Sequence, residues 1–163
     1  MINHKFNIRK ITPEDNADIA EIIRSNLEKH GLNIPGTAYF DSCLDDLYSY
    51  YKGKNCGSYF VITDESNNTV GGIGFEKIDI FPACAELQKM YLRDSAKGNR
   101  LSYKMIEFIE NQMRDSGIKI SYLETHSNLS AAIHVYEKAG YHRIERPSNV
   151  GHSTMDCFYI KNL

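Results

Sequence analysis

The sequence predicts an α+β fold, and three features of its patterning carry that reading. Segments with alternating apolar residues are interleaved with segments whose apolar residues recur every three or four positions, in the order β-α-α-β-β-β-α-β-α-β-β. Glycine, proline and Asp/Asn clusters punctuate them. No composition break, internal repeat or low-complexity stretch divides the 163 residues, so a single domain over 1–163 is expected. With 42% hydrophobic and 25% charged residues, such a chain can bury one sizeable core.

Residues 6–11 alternate as a first strand, and Thr12-Pro13-Glu14-Asp15 reads as an N-cap, a first-position proline and early acids. The helix that follows carries Ile19, Ile22, Ile23 and Leu27 on one face and stops at Gly31. Residues 30–41, with Gly31, Pro35, Gly36, Tyr39 and Phe40, predict an irregular loop. A second helix is expected from Asp41, with Leu44, Leu47, Tyr48 and Tyr51 at helical spacing before Gly53. Its tyrosines read as core packing, with a substrate stripe as the alternative.

Residues 58–64 and 69–78 flank the turn cluster Asp64-Glu65-Ser66-Asn67-Asn68 as a hairpin. Gly71, Gly72 and Gly74 inside the second strand predict a bulge or a close backbone approach. Residues 83–92 form the next strand. Leu101, Met105, Phe108, Ile109 and Met113 then make an amphipathic helix ended by Gly117. Residues 118–125 read as a strand, Leu129, Ala132, Ile133 and Tyr136 as a helix face before Gly140, and 141–145 and 155–161 as closing strands.

Composition excludes several classes of function. A net charge of -2 offers no broad basic surface, so no nucleic-acid partner is expected. The longest apolar runs, such as 59–62, are far too short for a bilayer, and residues 1–5 lead into a strand rather than a signal peptide. No membrane partner and a cytoplasmic location follow as expectations. Cys43, Cys56, Cys84 and Cys157 form no Cys-x-x-Cys pair and read as reduced core thiols. His4, His30, His126, His134, His142 and His152 fall into no ligand motif, so no metal is expected.

The stretch 88–102 stands apart. A strand runs into a short polar loop and then a helix, which is the build of an anion site: helix N-terminal amides are unsatisfied and partly positive. Arg93, Lys97, Arg100 and Lys104 surround the turn against one acid, Asp94, in a chain that is acidic overall. The loop is neither a Walker loop nor a dinucleotide fingerprint, and a solvated connection is the competing reading.

Three stretches, two of them within or overlapping 88–102, carry a family resemblance. Glu86-Leu87-Gln88-Lys89-Met90-Tyr91-Leu92, then Lys97-Gly98-Asn99-Arg100-Leu101-Ser102, then Asn128 with Tyr136-Glu137-Lys138-Ala139-Gly140-Tyr141, together resemble the GNAT superfamily of acyl-CoA-dependent N-acyltransferases. The resemblance implies a mixed, mostly antiparallel sheet of six or seven strands with about four helices on both faces. It implies acetyl-CoA as co-substrate, no metal, and transfer of the acetyl group to a primary amine of a small molecule or peptide within a ternary complex. A homodimer is a further expectation, since dimers are frequent in the family.

By the same resemblance, cofactor contacts fall on Met90, Tyr91, Leu92, Lys97, Gly98, Asn99, Arg100, Leu101, Ser102, Asn128 and Tyr136. Tyr136 matches the tyrosine beside the sulfur, a candidate acid for the departing thiolate, and packing is its alternative. Glu86 matches a common position of the general base, with a solvent-facing charge as its alternative; His126 is a weaker candidate, and His134 reads as a surface or partly packed helix residue. Asn128 matches a pantetheine contact, with helix capping as its alternative. Asp41, Asp45 and Asp46 could steer a cationic amine, although pairing with a helix start is the favoured reading. The loop departs from the family pattern, because Arg100 stands where a glycine is usual. That departure motivates the alternative function, a non-catalytic acyl-CoA-binding or sensor module.

Overall fold

The structure is a computed structural model describing residues 5–150 and 153–163; His4 and His152 lie outside the described residues. Seven strands form one sheet: β1 (Asn7–Lys10), β2 (Gly57–Thr63), β3 (Thr69–Ile78), β4 (Cys84–Leu92), β5 (Ile120–Thr125), β6 (His142–Ile144) and β7 (Cys157–Asn162). Their order is β1-β2-β3-β4-β5-β7-β6, antiparallel throughout except for the parallel pair β4/β5. Among the described residues four α-helices accompany them: α1 (Asn16–Lys29), α2 (Leu47–Lys52), α3 (Leu101–Asp115) and α4 (Ser130–Lys138). The expected α+β architecture is the one observed.

Each face of the sheet has its own core. Ile19, Ile22, Ile23 and Leu27 of α1 and Leu47 and Tyr51 of α2 pack with Tyr59 and Val61 on one face. Leu101, Met105, Ile109 and Met113 of α3 and Tyr136 of α4 pack with Phe60, Ile73, Leu87 and Leu123 on the other. A third, smaller cluster around Cys84, Tyr122 and Phe158 covers the far end of the α1/α2 face. The helical stripes read from the sequence are therefore the buried faces.

Asp15 fastens the start of α1 to the sheet. Its carboxylate accepts from the Thr12 amide at 2.8 Å, from Thr69 Oγ1 at 2.9 Å and from both guanidinium nitrogens of Arg9 at 2.7 and 3.0 Å. Burial opposes ionisation, but these donors outweigh it and hold the carboxyl at a pKa of about 2.

The second helix departs from expectation. Instead of starting at Asp41, the chain makes 3-10 turns at Ala38–Phe40 and Leu44–Asp46, and α2 begins only at Leu47. Asp46 is its N-cap, accepting from the Ser49 amide at 3.2 Å. Asp41 is paired with Lys89 at 2.8 Å and Asp45 with Arg24 at 2.7 Å, so all three acids are committed to holding the loop. Of the cysteines, Cys84 and Cys157 are buried and Cys43 and Cys56 half-buried, all free thiols. No helix among the described residues is long and apolar enough to cross a membrane.

Candidate active site

The parallel pair β4/β5 stays together for only three residue pairs, Cys84 with Ile120, Ala85 with Ser121 and Glu86 with Tyr122. Beyond Glu86 the strands part, and the edge of β4 from Leu87 to Leu92 has no strand partner on that side among the described residues. The fork opens into a cleft of about 490 Å³. Leu87, Met90, Tyr91 and Leu92 line one wall, Glu124 and Thr125 the other, and Val135 and Tyr136 of α4 also face it.

A bulge shapes the β4 wall. Gly72 pairs with Tyr91 and Gly74 with Gln88, so Ile73 alone faces both Lys89 and Met90. Lys89 takes the extra residue's strained conformation, with φ 49°. Tyr59 braces it: from β2 the buried ring lies across β3 and its hydroxyl donates to the Lys89 carbonyl at 2.8 Å. The β3 glycines make that route possible. A Cβ on Gly72 would sit 2.5 Å from Tyr59 Cε1, and one on Gly74 2.6 Å from Cδ2. Of the two alternatives read for the glycines, the close approach is the one they serve on β3, while the extra residue of the bulge lies on β4.

At the other end of the cleft, Lys97, Gly98, Arg100, Leu101 and Ser102 line the approach to α3. Gly98 has φ 82°, and Arg100, the residue before the helix, has φ 54°, so arginine adopts the left-handed conformation that glycine favours. Among the described residues, none accepts a hydrogen bond from the amides of Gly98, Arg100, Leu101 and Ser102. The four cations expected around this loop are mostly engaged. Arg93 pairs with Glu21, Lys97 with Asp94 at 2.7 Å, and Lys104 reaches Glu107 at 4.0 Å; Arg100 has no partner among the described residues.

Not every expected residue reaches the cleft. Asn99 turns its amide back onto the Ala96 and Lys97 carbonyls at 3.1 and 3.2 Å, which stiffens the loop. Asn128 is exposed and donates to the His30 carbonyl at 3.0 Å, tying the β5–α4 loop to the end of α1. Its side chain does not cap α4, whose N-cap is Leu129. His126 accepts from the Asn128 amide through Nδ1 at 3.0 Å, and His134 is exposed.

Tyr136 is buried by ring contacts that include Tyr141 at 6.1 Å, while its hydroxyl has no hydrogen-bond partner among the described residues and is not sealed from solvent. Burial raises its pKa well above that of a free phenol, with the nearby Tyr91 adding to the effect. It therefore keeps its proton at neutral pH.

Glu86 sits at the base of the fork, on the α1/α2 face, rather than in the cleft wall. Burial pushes its carboxyl up to about 7, and Glu124 and Glu76 push the same way. Gln88 and Lys89 oppose them. A carboxylate half-ionised near neutrality can exchange protons at working pH.

Four residues that build this site are not singled out by the sequence motifs. Tyr59 was only a strand residue, and its role needs the register that lays it across the glycines. Asn26 interrupts the apolar stripe of α1 at helical spacing; it donates to the Leu92 carbonyl at 3.0 Å and accepts from Lys97 at 3.2 Å, joining the end of β4 to the loop. That lone polar residue on an apolar face was a usable signal. Glu124 lines the cleft and accepts from Tyr122 at 3.0 Å, and Gln88 donates to Glu86.

Comparison with known proteins decides the family. The sequence model of the Acetyltransferase (GNAT) family matches residues 19–141. The chain belongs to the GNAT acetyltransferases. It is 33% identical over 140 residues to the uncharacterized N-acetyltransferase YjgM of Escherichia coli K12, covering 85% of this chain and 83% of that protein. The fold is similar to an acetyltransferase of the GNAT family from Staphylococcus aureus Mu50, with TM-score 0.83 at 21% identity over 96% of this chain and 98% of that one. It is also similar to a spermidine N-acetyltransferase from Vibrio cholerae in complex with CoA and spermine, with TM-score 0.71 at 18% identity over 98% and 96%. For this GNAT acetyltransferase, the fork, the β4 bulge and the open α3 terminus lie along one continuous cleft.

Proposed function

We propose that this protein transfers an acetyl group from acetyl-CoA to a primary amine of a small molecule or peptide, directly and within a ternary complex. The observation that carries the proposal is the fork: an unpaired β4 edge leads from the α3 amides to the Tyr136 hydroxyl within one cleft. These residues fit the co-substrate. The α3 amides, with Arg100 beside them, suit a pyrophosphate, the β4 edge suits the amide-bearing pantetheine arm, and Met90, Leu129, Ala132 and Val135 give an apolar lining. When bound, acetyl-CoA supplies an acetyl group activated as a thioester.

The chain's own residues would do the rest. Glu86 takes a proton from the acceptor ammonium, leaving a neutral amine with a free lone pair. An amide of the braced bulge, at Met90, Tyr91 or Leu92, polarises the acetyl carbonyl. Tyr136 gives its proton to the departing sulfur and takes back the one that the acceptor nitrogen sheds as the amide forms. Covalent transfer through a cysteine is disfavoured, because none of the four lines the cleft and burial holds Cys84 at a pKa of about 11. Glu124 in the cleft wall favours a cationic acceptor, as do Glu76 and Glu86 on the adjoining face. The neighbour crystallised with spermine agrees with that preference.

The test is release of free CoA from acetyl-CoA over a panel of polyamines, amino acids, peptides and aromatic amines, with thermal shift by acetyl-CoA alongside. A stabilising shift and turnover with at least one amine are expected. A shift without turnover on any amine would favour the acyl-CoA-binding module, and no shift would remove the proposal.

A further inference from the structure

The Glu86 carboxylate is held on one side only. Gln88 Nε2 donates to Oε2 at 2.9 Å, while Oε1 has no partner among the described residues. Gln88 is held in turn: its Oε1 accepts from the Tyr51 hydroxyl at 2.6 Å. The order of donors follows from chemistry. Turning the amide over would set its oxygen against the Glu86 carboxylate, two acceptors face to face, so the NH2 end must point to Glu86 and the oxygen to Tyr51.

The backbone puts the three residues together. Glu86 and Gln88 are two apart on β4 and share a face, and Gln88 lies opposite Gly74. A Cβ at Gly74 would stand 3.1 Å from the Tyr51 hydroxyl, so the glycine clears the place where Tyr51 meets Gln88. Tyr51 is buried, with its ring 5.3 Å from that of Tyr59 and tilted 38° to it, which holds the ring in place. A flexible amide next to a carboxylate has thereby become a rigid one.

We infer that Gln88, locked by Tyr51, is a positioning residue for acetyl transfer, occupying Oε2 of Glu86 and leaving Oε1 as the one atom that accepts the proton of the acceptor ammonium. The inference rests on the proposed role of Glu86 as base. In that step R–NH3+ loses one proton to Oε1, Glu86 becomes the neutral acid, and the electron pair of the broken N–H bond stays on nitrogen to form the new C–N bond.

The charged and titratable groups around Glu86 set the sign of the test. Glu76 faces it from β3, held by Lys54 at 2.8 Å and Tyr50 at 2.7 Å and also hydrogen-bonded by Gln88. Glu124 and Tyr122 approach from β5, Lys89 from β4 itself and Tyr51 from α2. Gln88 donates to the charged form of Glu86, so removing it disfavours ionisation, and the base becomes available only at higher pH.

The experiment is the pH profile of kcat/KM for the parent and for Gln88→Leu, Tyr51→Phe and Glu86→Gln, with KM for acetyl-CoA measured in each. The parent should lose activity below about pH 7. Gln88→Leu should move that acid limb upward by about half a pH unit or more and lower the plateau kcat, with KM for acetyl-CoA unchanged. Tyr51→Phe keeps the ring and should move the limb in the same direction by less, and Glu86→Gln should abolish it. If Glu86→Gln abolishes the limb while Gln88→Leu and Tyr51→Phe leave limb and plateau in place, Gln88 merely packs and the inference falls alone. If Glu86→Gln keeps the limb, the base assignment and the inference fall together.

Discussion

The two ends of the cleft are built from different parts of the chain. At the end proposed for the pyrophosphate and pantetheine, the working groups are backbone: the β4 bulge, the β4 edge and the α3 amides. Side chains there hold that backbone in shape, as Tyr59 holds Lys89, Asn26 holds Leu92 and Asn99 holds the loop carbonyls. At the end proposed for the acceptor, the working groups are the side-chain oxygens of Glu124 and Tyr136 in the cleft, with that of Glu86 on the adjoining face of the sheet. The first end should therefore tolerate changes in its lining side chains but not in its conformation, and the second should behave the opposite way.

The largest effect is expected from Gly72→Ala, which adds one methyl group and touches no cleft side chain. The new Cβ would lie 2.5 Å from Tyr59 Cε1 and 2.6 Å from its hydroxyl. Tyr59 is buried, so its ring must be displaced within the core and the variant should lose about 1–3 kcal/mol of stability. The bulge should also lose its brace, and with it acetyl-CoA binding. Thermal denaturation and calorimetric titration read both effects. Parent-like values for both would show that the brace is dispensable and that the contrast between the two ends is drawn in the wrong place.

Tyr136→Phe should be next, and of the opposite kind. The ring remains, so stability and acetyl-CoA affinity should hold, while single-turnover transfer falls about 10²-fold because the departing sulfur loses its proton donor. Full turnover would reduce Tyr136 to packing. Glu124→Gln should have a smaller effect with a definite sign. Glu124 raises the Glu86 pKa, so neutralising it should move the acid limb of kcat/KM to lower pH, opposite to the shift expected for Gln88→Leu. Two variants on the same carboxylate moving the limb in opposite directions would localise the titration at Glu86. Shifts of the same sign would place it elsewhere.

How much of this was legible in the sequence follows the same division. The order of elements, the helical stripes and the hairpin at Asp64 were readable because hydropathy period and turn chemistry are local. Asp64 accepts from the Ser66 and Asn68 amides at 2.9 and 2.8 Å, a turn the sequence spells out. Tyr136 and the 97–102 loop were readable through motif resemblance. What escaped was set by register. That Tyr59 reaches Lys89, that Tyr51 reaches Gln88 and that Asn128 reaches His30 depends on which residues lie opposite one another across strands or between loops up to 98 positions apart. The start of α2 escaped for another reason: the ion pairs of Asp41 and Asp45 with Lys89 and Arg24 fix the preceding loop from outside it.

The smallest effect should come from the most conspicuous departure in sequence. Arg100 stands where the family commonly has glycine, yet it adopts φ 54° and leaves its amide open to the cleft as a glycine would. A left-handed arginine costs about 1 kcal/mol relative to glycine, which Arg100→Gly would recover. The same variant would lose a guanidinium with no partner among the described residues, positioned to meet a phosphate. The two terms oppose each other, so acetyl-CoA affinity should change by less than about tenfold, and the salt dependence of binding should weaken as one cation is lost. A variant that bound acetyl-CoA far more tightly than the parent would mean that arginine obstructs the loop. The backbone at that end would then not be shaped for phosphate in the native protein, and the contrast between the two ends would fail at its first term.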